Sequence, residues 1–187
     1  MKLNKCCTSI TALAVSLLLF SNAQAGSETQ QVSEATNIKI EFIEPESYTD
    51  MRPSNESRSR YHKHVLSSIE EHFAELSENL PDGQTLDIKV TDIDLAGDTR
   101  SPRIPVGSFM FDVRVMEDIF FPRIKFNYVL KNAAGEVLQS EDVNLKDMAY
   151  LNRAGVVRRN SGSFPYEKFM LQQWFKDTFE SKAHSAS

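Results

Sequence analysis

The sequence predicts an α+β fold: a two-layer α/β sandwich, with a mixed four-stranded sheet and two helices on one face, in the order β-α-β-β-β-α. Two observations carry this. Short runs alternate apolar and polar residues, as at Ile38, Ile40 and Phe42 and again at Ile124, Phe126, Tyr128 and Leu130, the period of strands with one buried face. Two longer runs space their apolar residues by three or four, the period of amphipathic helices. Two helical stripes need a common burial surface, and one sheet face supplies it.

The first strand covers residues 38–42 and ends at Pro45. Tyr61, Val65, Ile69, Phe73, Leu76 and Leu80 form the first helical stripe, with Lys63, Glu70, Glu71, Glu75 and Glu78 opposite. Ser54 or Asn55 is the expected N-cap, and Pro81-Asp82-Gly83 stops the helix. Leu86, Ile88 and Val90 start a second strand; Ile93 and Leu95 break its parity, which predicts a bulge near Thr91-Asp92. A long arm over 96–108 follows. Val113 and Val115 are expected to open a third strand, kinked at Pro122 and continuing through Leu130. Asn132-Ala133-Ala134-Gly135 turns the chain into a fourth strand over 137–145. A second long loop, 152–163, leads to a helix opened by Ser163 with Pro165 in its first turn. Tyr166, Phe169, Met170, Trp174, Phe175 and Phe179 line its apolar face. Each buried Phe contributes about 1.5–3 kcal/mol, so loss of Trp174 or Phe175 is expected to unfold the domain. The first helix crosses between strands that are therefore parallel, and the rest form a meander.

The N-terminus has the three parts of a secretion signal: Lys2 and Lys5, the mostly apolar residues 10–20, and Ala23-Gln24-Ala25. Cleavage is expected after Ala25, which places the protein in the periplasm or outside the cell. A membrane helix needs about 20 consecutive apolar residues, more than this run offers, so an integral membrane protein is not expected. Cys6 and Cys7 precede the apolar run, whereas a lipid-modified cysteine would follow it. The expected organisation is a signal peptide over 1–25, a flexible leader over 26–37, one globular domain over 38–181 and a disordered tail over 182–187. Cleavage removes both cysteines, so the mature chain forms no disulfide. Lys plus Arg falls from 21 to 19 while Asp plus Glu stays at 26, a net of −7. That balance disfavours nucleic acid as a partner.

Candidate chemistry is sparse. His62, His64 and His72 lie on the first helix without a completing carboxylate or cysteine, and are expected on its charged surface. Asp92 and Asp94 hint at a cation loop, but the calcium-loop spacing is missing. No G-x-S-x-G, H-E-x-x-H or phosphate-binding glycine loop occurs, so no catalytic residue, cofactor or metal is expected. The topology brings both long loops to one end of the sheet, gathering Arg100, Arg103, Arg153, Arg158 and Arg159 there. Arginine forks suit phosphate or carboxylate.

Several segments together resemble DUF3016, a family of bacterial proteins of unknown function. They are Phe42…Pro45…Tyr48-Thr49-Asp50, Leu80-Pro81-Asp82-Gly83-Gln84-Thr85-Leu86 and Thr91-Asp92-Ile93-Asp94-Leu95-Ala96-Gly97. Pro122-Arg123-Ile124, Asp147-Met148-Ala149-Tyr150 and Tyr166-Glu167-Lys168 leading to Trp174-Phe175 complete the set. Where the family pattern has a basic residue after Tyr-Glu-Lys and acids before the Trp, this chain has Phe169 and Gln172-Gln173. The resemblance implies an exported bacterial protein and brings no activity.

The leading expectation is a non-enzymatic periplasmic protein that binds a partner protein or cell-envelope component. The alternatives are a small-ligand or metal-binding module using Asp92, Asp94 and the loop arginines, and an uncharacterised hydrolase. An exposed apolar patch favours the first, an ion or deep pocket near residues 92–103 the second, and a buried His–carboxylate pair beside a serine the third.

Overall fold

Alternation builds the sheet as expected. In the computed structural model, which describes residues 32–35, 37–100, 104–106, 108–111, 113–153, 155 and 162–180, strand β2 (Ile38–Phe42) turns Ile38, Ile40 and Phe42 inward. Ahead of it, Val32–Ala35 forms a short strand, β1, antiparallel to β2. The segment read as a flexible leader thus adds a fifth, edge strand to the expected four. The N-terminal signal and the C-terminal tail over 182–187 lie outside the described residues.

Helix α1 (Arg58–Ser77) buries Val65, Leu66, Ile69, Phe73 and Leu76 along one stripe. Its N-cap is Ser57, further along than Ser54 or Asn55, and the Ser57 side chain makes no capping hydrogen bond. Strand β3 (Thr85–Asp94) returns parallel to β2. Its register shifts between Val90 and Asp92, the bulge that the parity break at Ile93 predicts.

The third strand differs from expectation. Ile104–Val106 (β4) and Phe109–Phe111 (β5) pair with each other as a separate two-stranded ribbon. Val115 makes only an isolated bridge to Asp98. The main-sheet strand β6 (Arg123–Lys131) begins directly after Pro122, so there is no kinked strand. Proline has no N–H to give a ladder, and the Pro122 carbonyl is taken by Asp147 N at 3.2 Å. Strand β7 (Val137–Lys146) completes an open sheet of order β1-β2-β3-β6-β7, with β6 antiparallel to both neighbours.

Helix α2 (Pro165–Phe175) starts with Pro165 at its first position and Phe164, rather than Ser163, as its cap. It packs beside α1 on the same sheet face. Trp174 is the hub: its ring lies 4.8 Å from Phe126, 5.4 Å from Tyr128 and 6.4 Å from Phe73, all edge-on. Phe179, in the π-helical turn Lys176–Glu180, closes over Tyr128 and Trp174. The opposite sheet face carries ion pairs instead, Lys89–Glu41 at 3.3 Å, Lys125–Asp92 at 2.9 Å and Lys131–Asp87.

Candidate functional site

Strand register fixes which end of the sheet the loops share. Phe42 aligns with Val90, Asp94 with Arg123, and Arg123 with Lys146. The chain therefore leaves β2, β3 and β7 at one end, here the top, and enters β6 from it. Both long loops emerge there, and both helices begin there: Tyr61 stacks edge-on against Phe164 at 5.9 Å, and His64 Nε2 meets Ser163 Oγ at 2.8 Å. The expectation that the two loops share an end holds for the described residues.

Three buried aspartates organise this end, one where each strand path leaves the sheet. Asp50 accepts the Arg52 N–H at 3.0 Å with one oxygen and the Arg114 guanidinium at 3.0 Å with the other. Asp98 accepts the Arg100 N–H at 3.1 Å and its Nε–H at 2.9 Å. Asp147 accepts the Ala149 N–H at 3.1 Å and the Arg153 guanidinium at 2.5 Å. Each carboxylate thus closes a turn two residues on and holds an arginine, a charge-assisted clamp. Arg114 also donates to the carbonyls of Ala96, Gly97 and Arg52 at 3.2, 2.8 and 2.8 Å. Glu167, buried in the first turn of α2, accepts the Ala96 N–H at 2.7 Å. Burial pushes the Glu167 carboxyl above the usual range.

The residues singled out in the sequence divide accordingly. Asp92 accepts from Thr49 N, Thr49 Oγ1 and Lys125 Nζ at 2.8, 3.0 and 2.9 Å, and so ties the 48–50 segment to the sheet. Burial acts to raise its carboxyl, but those hydrogen bonds outweigh it and hold it below the usual range. Asp94 faces Arg123 Nε at 3.9 Å, and burial pushes its carboxyl up despite that cation. Arg123 in turn lies 4.3 Å over the Phe121 ring. Arg100 and Arg153 are engaged by their aspartates. Arg103, Arg158 and Arg159 lie outside the described residues. Among the described residues, no three His, Cys, Asp or Glu side chains could hold a metal, and no helix is long and apolar enough to cross a membrane.

Composition hid Asp50, Asp98, Asp147, Arg114 and Glu167, because acids are frequent throughout the chain. A usable signal was present for two of them: Asp98 and Asp147 fall just past the end of hydrophobic alternation, whereas Asp50 lies well beyond Phe42. The histidines also depart from expectation. His62 is buried, not on the surface, with Nδ1 3.4 Å from Glu46 Oε2. His72 Nε2 meets the Lys168 carbonyl at 2.9 Å. The physical reason is that α2 and the Pro45–Ser47 3-10 turn cover part of the polar face of α1. Ser59 lines the same cleft as His62.

Large apolar side chains also stand exposed at the top. Met116 and Ile119 are 42% and 68% exposed on the loop before β6, and Met148 is 68% exposed on the loop after β7. The two loops are joined by the Asp147–Pro122 hydrogen bond and by Tyr150 Oη donating to the Glu117 carbonyl at 2.9 Å.

Comparison with curated proteins and with solved structures gave no match. A family model described as a protein of unknown function, DUF3016, matches residues 36–177, from the start of β2 to just past α2. The chain belongs to the DUF3016 family.

Proposed function

We propose that this is an exported, non-enzymatic protein that binds a protein partner in the cell envelope through the top end of its sheet. The observation that carries the reading is the set Met116, Ile119 and Met148, apolar and exposed on two loops that are bonded to each other. Apolar side chains concentrated on one exposed surface mark interaction sites. The Asp–Arg clamps support it, since they fix those loops through charge-assisted hydrogen bonds, and a pre-ordered surface loses less entropy on binding. Export is supported by Lys2, Lys5, the apolar run over 10–20 and the Ala23-Gln24-Ala25 site.

Site-specific photo-crosslinking in cells producing the complete chain tests both parts. A crosslinker at position 119 or 148 is expected to trap one discrete protein adduct, and the trapped chain is expected to begin at Gly26. The same crosslinker at Leu138, which is exposed on β7 away from these loops, is expected to trap none. Equal adducts from 138, or none from 119 and 148, would overturn the binding surface. A chain still beginning at Met1 would overturn export.

A further inference from the structure

Strand β7 ends the sheet on one side: β6 is its only strand neighbour among the described residues. It runs for 10 residues and contains no proline. Such an edge is a template for another strand. The register fixes which backbone groups it offers. The Asp147 N–H donates to the Pro122 carbonyl at 3.2 Å, and Arg123 pairs with Lys146. Asp147 and Pro122 are therefore directly opposed and hydrogen-bonded. In an antiparallel ladder such pairs alternate with non-bonded ones. Leu145, Val143 and Glu141 thus bond to β6, whereas Ser140, Asp142, Asn144 and Lys146 turn their N–H and C=O groups outward. No other backbone group among the described residues meets them.

The side chains of this stretch carry unmatched charge. Lys146 stands directly opposite Arg123, and Asp142 opposite Asn127. Like charges opposed across a ladder destabilise it. Lys125 and Lys131, on the same sheet face, each hold an aspartate. Asp142 and Lys146 have no ion-pair partner among the described residues. On the helix face, Val143 and Leu145 are only half-buried. Leu145 lines a cleft of about 300 Å³ together with Met170 and Trp174 of α2.

We propose that this edge pairs with the same edge of a second copy of the chain, antiparallel and two-fold symmetric, with Asn144 opposite Asn144. Asp142 of each copy then stands opposite Lys146 of the other, so both unmatched charges are paired, twice over. Val143 of each copy stands opposite Leu145 of the other, at the cleft. Centring the pairing on Asp142 instead would set two aspartates against each other. A two-fold contact must be self-complementary in this way, and opposite charges and apolar pairs are the cross-strand contacts that stabilise a ladder. The inference stands apart from the partner-binding reading, whose loops and control position Leu138 lie outside the paired segment, residues 142–146.

Sedimentation velocity over a concentration series, on protein purified from cells producing the complete chain, tests it. The wild type is expected to shift from monomer to dimer as concentration rises. Asn144→Pro removes an outward N–H and no bond to β6, and should weaken the dimer at least tenfold. Asn144→Ala keeps that N–H and should dimerise as the wild type does. Asp142→Lys and Lys146→Asp should each weaken the dimer at least tenfold alone. Mixed in equal amounts they should dimerise again, because one copy then offers lysine at both positions and the other aspartate. That exchange leaves the backbone untouched, so it decides the matter should the proline variant not fold. The proposal is overturned if the wild type stays monomeric at every concentration, if folded Asn144→Pro dimerises as the wild type does, if Asn144→Ala weakens the dimer as much as proline, or if the mixture stays monomeric.

Discussion

The two ends of the sheet turn the chain by different chemistry. At the bottom, turns are short and close on neutral amides. Asn132 Oδ1 accepts the Ala134 and Glu136 N–H groups, both at 2.9 Å. Asn37 Nδ2 donates to the Ser77 carbonyl at 2.6 Å, holding the end of α1 to the start of β2. At the top, the corresponding positions are the buried acids Asp50, Asp98 and Asp147, each with an arginine. A neutral amide suffices to close a turn. A carboxylate can take a strong second donor from elsewhere, as Asp50 takes Arg114 from 64 residues away. The difference teaches that at the top, where connections are long, ionic clamps tie distant segments together beside buried apolar anchors such as Met51, Leu95 and Tyr150.

The largest expected effect comes from breaking one clamp. Asp50→Ala leaves Arg114 with a buried charge unpaired, which costs about 3–5 kcal/mol. The bottom-end counterpart, Asn132→Ala, exposes its freed amides to water and should cost about 1 kcal/mol. Thermal melts of the two variants check the ordering; equal losses would dissolve the distinction between the ends.

A glycine pair sharpens it at the next scale down. Gly97 (φ +79°) and Gly135 (φ +80°) share a left-handed conformation. A Cβ on Gly97 would come 2.7 Å from Met116 Sδ and 2.8 Å from the Val115 carbonyl, whereas one on Gly135 meets nothing within 4 Å. Gly135→Ala should therefore cost only the backbone term, about 1–2 kcal/mol. Gly97→Ala should cost at least about 1 kcal/mol more, and should displace the loop that carries Met116. Chemical denaturation of both variants measures the gap.

These contrasts also mark how far the sequence could be read. Strands, helices and the bulge at Val90–Asp92 follow from periodicity, because burial on one face imposes it locally. The parallel β2–β3 pair and the shared end of the two loops follow from topology. Pairings between distant segments do not. Nothing near Arg114 signals Asp50, and nothing near Glu167 signals Ala96. The arginines at 100 and 153 were legible as a group, but not their neutralisation by Asp98 and Asp147. The ribbon of Ile104–Val106 with Phe109–Phe111 was hidden by Pro105, which reads as an arm rather than a strand.

The smallest and most specific effect concerns pH. Glu167 is buried and held above the usual carboxylate range, by burial first, with the Ala96 N–H and Arg114 pulling the other way. A folded-state pKa above the unfolded value, about 4.3 for Glu, means the native state binds the proton more tightly. The stability Glu167 contributes is then complete below about pH 4.3 and is lost as pH rises through its folded value. Asp92 and Asp98 act in the opposite sense. Burial raises each, but hydrogen bonds outweigh it and hold them low, so their contribution is present above about pH 3.9 and is lost only as pH falls further. Asp94, also pushed up by burial, acts in the same sense as Glu167, so Glu167 is isolated by a variant that leaves Asp94 in place. Glu167→Gln keeps an oxygen for the Ala96 N–H and removes the titration. Above about pH 4 the variant should gain on the wild type, and the gain should level off once the folded Glu167 carboxyl has ionised, as read by denaturant midpoints at each pH. Parallel curves across that range would mean that the Glu167 carboxyl titrates alike folded and unfolded, and that the top end imposes no electrostatic penalty on it.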